Sequence, residues 1–348
     1  MQLFVLHREK IMQQNNIKWS RIFTELPCQR IKPFARDTVV AATGPAEGIK
    51  KVDLTCCGSK KKKGIIAGIP CNKWSRHGHY RAYGISTSLY ECNPITNTIS
   101  GDPVADVFSV VARRNNCILA LADGVNWGEK SRLAARCAVA GSVDYLNENL
   151  FSAETTHDVF YSLVKSFEYA QSLIIKNEAT MTTLCTAVVF QLENSDRWGL
   201  CCINIGDSLA FVYSKKQGVR EVTIGSHFDE DQRDMRNPGG SLGPADGYNP
   251  DLNNLTFSFT VVESGNIVFL TSDGVSDNFD PVVAKCKHCD VKEKISQSHE
   301  SLYESNQVSD NKNEAQRERS NSDPHIFDDW CIPTERHKKM LNDMAEVN

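Results

Sequence analysis

Cys117-Ile118-Leu119-Ala120-Leu121-Ala122-Asp123-Gly124 is an apolar run of strand length that stops at an acid followed by glycine. An uninterrupted apolar run of this length suits a buried strand, and the carboxylate then stands at its tip. The same figure returns as Asn266-Ile267-Val268-Phe269-Leu270-Thr271-Ser272-Asp273-Gly274. Between them, Cys201-Cys202-Ile203-Asn204-Ile205-Gly206-Asp207-Ser208 is a looser third copy. Three strands are expected to end in Asp beside Gly.

Each copy has two readings. Asp-Gly after an apolar run makes a turn, because Asp bonds its own backbone and Gly accepts positive φ. Carboxylates on separate strand ends also suit a shared hard cation, each Gly letting its backbone come close. Neither His nor Cys adjoins these acids. All-oxygen ligation favours magnesium or manganese over zinc or copper.

Taken in order, these motifs make residues 81–280 resemble the metal-dependent type-2C serine/threonine protein phosphatases. That family has a strand ending in Asp-Gly-His, which Ala122-Asp123-Gly124-Val125 resembles, and a Thr-rich strand entry similar to Met181-Thr182-Thr183-Leu184-Cys185-Thr186-Ala187. Its Gly-Asp-Ser, Leu-Gly and Ser-Asp-Gly motifs resemble Gly206-Asp207-Ser208, Ser241-Leu242-Gly243 and Ser272-Asp273-Gly274. The order and spacing of the motifs carry the likeness more than any one of them.

The resemblance implies an α+β fold of two packed antiparallel β-sheets flanked by helices, an α-β-β-α sandwich. Two divalent ions, magnesium or manganese, would lie between the sheets at one end. Asp123 would bridge the ions, the Gly124 carbonyl would join the second ion's shell and Asp273 would hold the first. Asp207 would take an outer third-metal position, and Asp277 would support the loop after Asp273. No side-chain nucleophile is implied, since a water activated by the ions attacks the phosphate ester.

The chain departs from the family at several positions. Where the family carries a phosphate-gripping Arg this chain has Ser86, and the Glu-Asp pair that follows becomes Tyr90 and Glu91. Glu91 is then either a ligand, direct or through water, or a surface carboxylate. Val125 stands where the family has the His thought to protonate the leaving alcohol. The family's last strand pair, with its Asp-Asn, finds no counterpart after residue 281, where Asp310-Asn311 has the letters without the apolar strand. The C-terminal part therefore reads as incomplete. Two functions follow. One is a divergent phosphatase acting on phosphoserine or phosphothreonine; the other is a catalytically inactive pseudophosphatase that binds a phosphoprotein or other protein partner.

Composition sets outer bounds. With 348 residues and 41% hydrophobic content the chain can build a sizeable core. A net charge of −4 gives nothing that points to nucleic acid. Thirteen cysteines is an odd count, and several lie inside apolar strands, which suits reduced thiols in an intracellular protein, cytoplasmic or nuclear. No stretch approaches the roughly 20 apolar residues that span a bilayer.

Residues 1–80 show no sustained period and read as an N-terminal extension, partly disordered. Within it, Cys56-Cys57 beside Lys60-Lys61-Lys62-Lys63 reads either as a lipidation or nuclear signal or as a solvated lysine run. Residues 81–280 form the phosphatase-like domain. A strand is expected at Tyr83–Glu91, helices over Lys130–Asn149 and from Val159 to Ile174, then strands at 184–192, 198–205, 209–213 and 219–224. Leu255–Val262 and Ile267–Thr271 read as a hairpin turning at Glu263-Ser264-Gly265-Asn266. Residues 281–348 read as a polar, disordered tail holding a weak Cys286-Lys287-His288-Cys289 zinc pattern and a kinase-like Arg317-Glu318-Arg319-Ser320.

Overall fold

The apolar run ending at Ala122 is a strand because both its faces are covered: Ile118, Ala120 and Ala122 pack into one apolar cluster and Leu119 into another. It belongs to a computed structural model that describes residues 3–7, 23–36, 39–44, 65–66, 69–70, 82–88, 90–99, 101–223, 237–279 and 333–347. The strands are β1 Leu3–His7, β2 Ala41–Thr43, β3 Ile65–Ile66, β4 Ile69–Pro70, β5 Val107–Ala112, β6 Asn116–Ala122, β7 Leu184–Gln191, β8 Trp198–Ile205, β9 Leu209–Ser214, β10 Gly218–Glu221, β11 Ser241–Asp246, β12 Asn249–Asp251, β13 Thr256–Val262 and β14 Ile267–Thr271. The helices are α1 Glu129–Asn149, α2 Thr156–Lys176, the single turn α3 Asp273–Ser276 and α4 Pro333–Glu346. None is long and apolar enough to cross a membrane.

Seven strands pair antiparallel in the order β1-β13-β8-β7-β6-β5-β2, and β10-β9-β14 form a second antiparallel sheet. Side-chain alternation decides what each face meets. Ile118, Val188, Cys201, Phe257 and Phe259 join the cluster that includes α1 and α2, whereas Leu119, Ala187, Leu200 and Cys202 meet Ala210 and Val212 of the smaller sheet. The helices approach closely at Gly141, where a Cβ would stand 3.0 Å from the Ala170 Cα. Helix α2 starts in a capping box between Thr155 and Asp158. The expected α+β fold with two packed antiparallel sheets is the fold observed.

This topology brings acids together. Strands β6 and β8 run the same way and finish at one edge of the large sheet, where β5 and β7 begin. Strand β9 leaves that edge after the short Gly206-Asp207-Ser208 turn, and β14, antiparallel to β9, returns to it. Residues 106, 123, 207 and 273 therefore all stand at one end of the sandwich.

Four expectations need correction. The turn at 263–266 forms, closed by Asn266 N–H donating to the Glu263 carbonyl at 3.1 Å, but it joins two sheets instead of making a hairpin. Both edges of β13 are already taken by β8 and β1, so β14 pairs with β9. No strand forms at Tyr83–Glu91 among the described residues, because the extended backbone there has no ladder partner and leaves Tyr83 and Ile85 exposed.

Third, the segment read as an extension supplies edge strands β1 and β2 and places Phe23, Leu26, Ile31 and Phe34 in the main core. Phe23 is 2% exposed, stacked on Phe160 and edge-on to Phe257, both at 5.6 Å. Phe23→Ala should cost about 3–5 kcal/mol. An unchanged melting temperature would show that the N-terminal segment is dispensable to the fold.

Fourth, part of the expected disordered tail is helix α4. By contacts the chain divides into units Met1–Ser276 and Asp277–Val347, and α4 belongs to the second. Its Met340 and Met344 are buried one turn apart, and Lys339 pairs with Asp343 at 3.3 Å. The Cys56 to Lys63 run, the Cys286 to Cys289 pattern, Asp310-Asn311 and Arg317 to Ser320 lie outside the described residues.

Candidate active site

Asp123 is fixed through its main chain before its carboxylate is considered. Its N–H donates to Thr183 Oγ1 at 3.0 Å, and its carbonyl accepts from Thr183 N–H and from the Thr182 hydroxyl, both at 2.8 Å. Thr183 Oγ1 also lies 2.8 Å from Ser208 Oγ, which ties this corner to the Gly206-Asp207 turn. The Thr-rich stretch is thus the brace of the acid-bearing strand end.

The glycines of the motifs are there for space. A Cβ on Gly124 would stand 2.4 Å from the Ser131 carbonyl oxygen in the first turn of α1. One on Gly206, whose φ is +97°, would stand 2.5 Å from Thr183 Cγ2. Leu242 and Thr182 exchange main-chain bonds of 2.8 and 3.0 Å, and Gly243 at φ +108° passes against Thr180 and Met181. Three separate motifs therefore interlock around residues 180–183.

Sequence reading missed one acid, Asp106, which stands just ahead of β5 and beside Asp123 and Asp273. Ser272 Oγ donates to Asp106 Oδ2 at 3.3 Å, and Ser86 Oγ donates to the Asp106 carbonyl at 2.9 Å. The available signal was an acid immediately before an apolar run, the mirror image of Asp123. It lies well beyond Tyr90 and Glu91, where the resemblance puts the acidic pair, because the chain makes a further turn, closed by the Cys92–Ile99 bridge, before reaching β5.

Two of these acids are disturbed by burial and by their neighbours' charge. Burial pushes the Asp123 carboxyl well above the usual carboxylate range, and the charges of Asp106 and then Asp273 push it further the same way. Asp106 is also raised, by burial first and by the Asp273 charge, against the opposing hydrogen bonds from Asp123 and Ser272. The hydrogen bond between the two carboxyls acts in opposite senses on them, favouring the protonated form of Asp123 and the charged form of Asp106. Asp106, Asp123 and Asp273 all keep some surface open to solvent, so the trio is not sealed in the core.

The remaining expected residues are placed as follows. Asp207 is 4% exposed in the β8–β9 turn at the same end of the sandwich. Glu91 is exposed. Val125 is half-buried, with its N–H donated to the Met181 carbonyl at 3.0 Å. Asp277 opens the second unit. Among the described residues no three His, Cys, Asp or Glu side chains close into a finished ligand cage. The donor set nonetheless fits a hard divalent cation: Asp106, Asp123 and Asp273 offer only oxygen, and a cation would offset the burial and repulsion that raise the Asp106 and Asp123 carboxyls.

A family model described as protein phosphatase 2C matches residues 96–312. The PP2C-like domain-containing protein CG9801 of Drosophila melanogaster is 48% identical over 235 residues, which cover 66% of this chain and 33% of that protein. This chain therefore matches about a third of that relative's length. Among solved structures, the catalytic domain of the serine/threonine protein phosphatase PstP with two manganese ions is 19% identical, at 57% coverage of this chain, 84% of that one and a TM-score of 0.34. A phosphatase from Toxoplasma gondii is 12% identical, at 58% and 81% coverage and a TM-score of 0.39.

Proposed function

Since the chain belongs to the protein phosphatase 2C family, we propose that it is a magnesium- or manganese-dependent protein phosphatase acting on phosphoserine or phosphothreonine. The observation that supports this most is the convergence of Asp106, Asp123 and Asp273 from three strand ends, with Asp123 raised far above an ordinary carboxyl. Two ions would be held by these acids and the Gly124 carbonyl, with Asp207 as an outer ligand and Glu91 acting through water. When bound, such ions supply charge neutralisation at the phosphate and a water acidic enough to react near neutral pH.

The chain's own residues do the positioning. Thr182 and Thr183 hold the Asp123 main chain, and Ser272 holds the Asp106 carboxylate. Ser86, whose one hydroxyl proton goes to the Asp106 carbonyl, supplies nothing like the charged, bidentate grip that a guanidinium would offer a phosphate. Val125 offers no proton to a leaving alkoxide. The cysteines among the described residues are all free thiols, which supports an intracellular protein, cytoplasmic or nuclear.

Ser86 and Val125 are also what favours the second reading, a pseudophosphatase that retains the scaffold to bind a phosphoprotein. Release of phosphate from a phosphoserine peptide with manganese decides between them. Release that disappears on chelation supports the enzyme. A manganese-induced rise in melting temperature with no release replaces it by the binding protein.

A further inference from the structure

Trp127 and Tyr90 form an exposed aromatic pair, Trp127 being four residues beyond Asp123. Trp127 is 71% exposed and Tyr90 55%, and their rings meet edge to face with centroids 5.3 Å apart. Neither ring serves the core, yet both are held. Trp127 lies between two left-handed residues, Asn126 at φ 65° and Gly128 at φ 107°, in a loop anchored by Ser131 Oγ donating to the Val125 carbonyl at 2.8 Å. A non-glycine residue in that region carries a conformational cost that the surrounding structure must impose. The Tyr90 ring lies over Gly101, where a Cβ would come within 2.7 Å of it, and Tyr90 N–H donates to Ser88 Oγ at 3.2 Å.

The positions of the two rings follow from their anchors. Trp127 is four residues beyond Asp123, and Tyr90 is four beyond Ser86, whose hydroxyl bonds Asp106. Four residues span at most about 14 Å, and an extended peptide advances about 3.3 Å per residue. The aromatic pair therefore lies within reach of a side chain up to four positions from a residue whose phosphate sits at the acids. Tyr83 and Ile85, earlier in the segment that carries Tyr90, are also exposed.

We propose that Trp127 and Tyr90 set substrate specificity, selecting phosphoprotein segments that carry an aromatic or large apolar residue within about four positions of the phosphoserine or phosphothreonine. This rests on the reading that the phosphorylated residue docks at Asp106, Asp123 and Asp273. Two rigid rings meeting edge to face present faces and edges for a third ring, and Trp and Tyr of this kind dominate binding where they anchor an interface.

The test uses non-hydrolysable phosphonate analogues of a phosphoserine peptide. Phe is placed in turn at each of the four positions on either side in an otherwise alanine background, and binding is measured by fluorescence anisotropy with manganese present. At least one Phe position should bind the wild-type chain about five- to tenfold tighter than the all-alanine parent. That gain should vanish in Trp127→Ala, shrink in Tyr90→Ala and survive in Trp127→Phe, with melting curves checking that each variant folds. Equal binding at every position, no binding of any phosphonate, or a preference kept by both alanine variants would overturn the proposal. Because binding is read without turnover, a preference found alongside no phosphate release would sink the enzyme reading and leave this one standing.

Discussion

Asp123→Asn is expected to raise the melting temperature of the metal-free protein near neutral pH while lowering manganese-dependent phosphate release by about a hundredfold or more, beyond the loss usual for a residue that only supports a metal ligand. The two effects share one cause. Asp123 stands between Asp106 and Asp273, and their charges with its burial hold its proton on well above the ordinary range. The folded state thus binds a proton that the unfolded chain, with a carboxyl near pKa 3.9, has already lost. Metal-free stability is then highest below that value, declines as pH rises toward the raised folded value and is flat above it. Removing the charge removes the decline, and each kcal/mol of repulsion relieved is worth about 2–4 °C for a domain of about 200 residues. With manganese the slope should reverse, since cation binding displaces protons and strengthens with pH. A metal-free Asp123→Asn protein that melts below wild type at neutral pH would contradict the account.

Val125→His combined with Ser86→Arg is expected to raise turnover of a phosphoserine peptide by about a hundredfold or more. Val125 directly follows Gly124, and the Ser86 hydroxyl lies 2.9 Å from the Asp106 carbonyl, so both positions border the acids. A serine alkoxide leaves poorly without a proton, whereas p-nitrophenolate needs none. The double variant should therefore accelerate the peptide much more than the aryl phosphate. Equal acceleration would remove the general-acid argument. No turnover of either substrate by wild type or variant, with manganese still raising the melting temperature, would leave the binding-protein reading.

Much of the fold was legible because its signals are local. The strands at 116–122, 184–191, 198–205 and 267–271 and the helix pair are marked by runs and periods a few residues long, which report burial directly. Strand β1 was not legible, and nor was the irregular chain around Phe23 and Ile31, whose buried residues follow no period and are defined only by what packs against them. Helix α4 had a signal in Met340 and Met344, hidden by the polar residues around it.

By itself the sequence determined that Asp123, Asp207 and Asp273 would stand at strand ends beside glycine, because an apolar run and the turn chemistry of Asp with Gly are local to a few residues. Only the tertiary structure decided which acids meet. Strands β13 and β14, four residues apart, go to different sheets, and Asp106, far from Asp273 in sequence, stands close enough to feel its charge. Edge availability and strand direction decide those pairings, and both are properties of the assembled sheets that no short stretch of the chain carries.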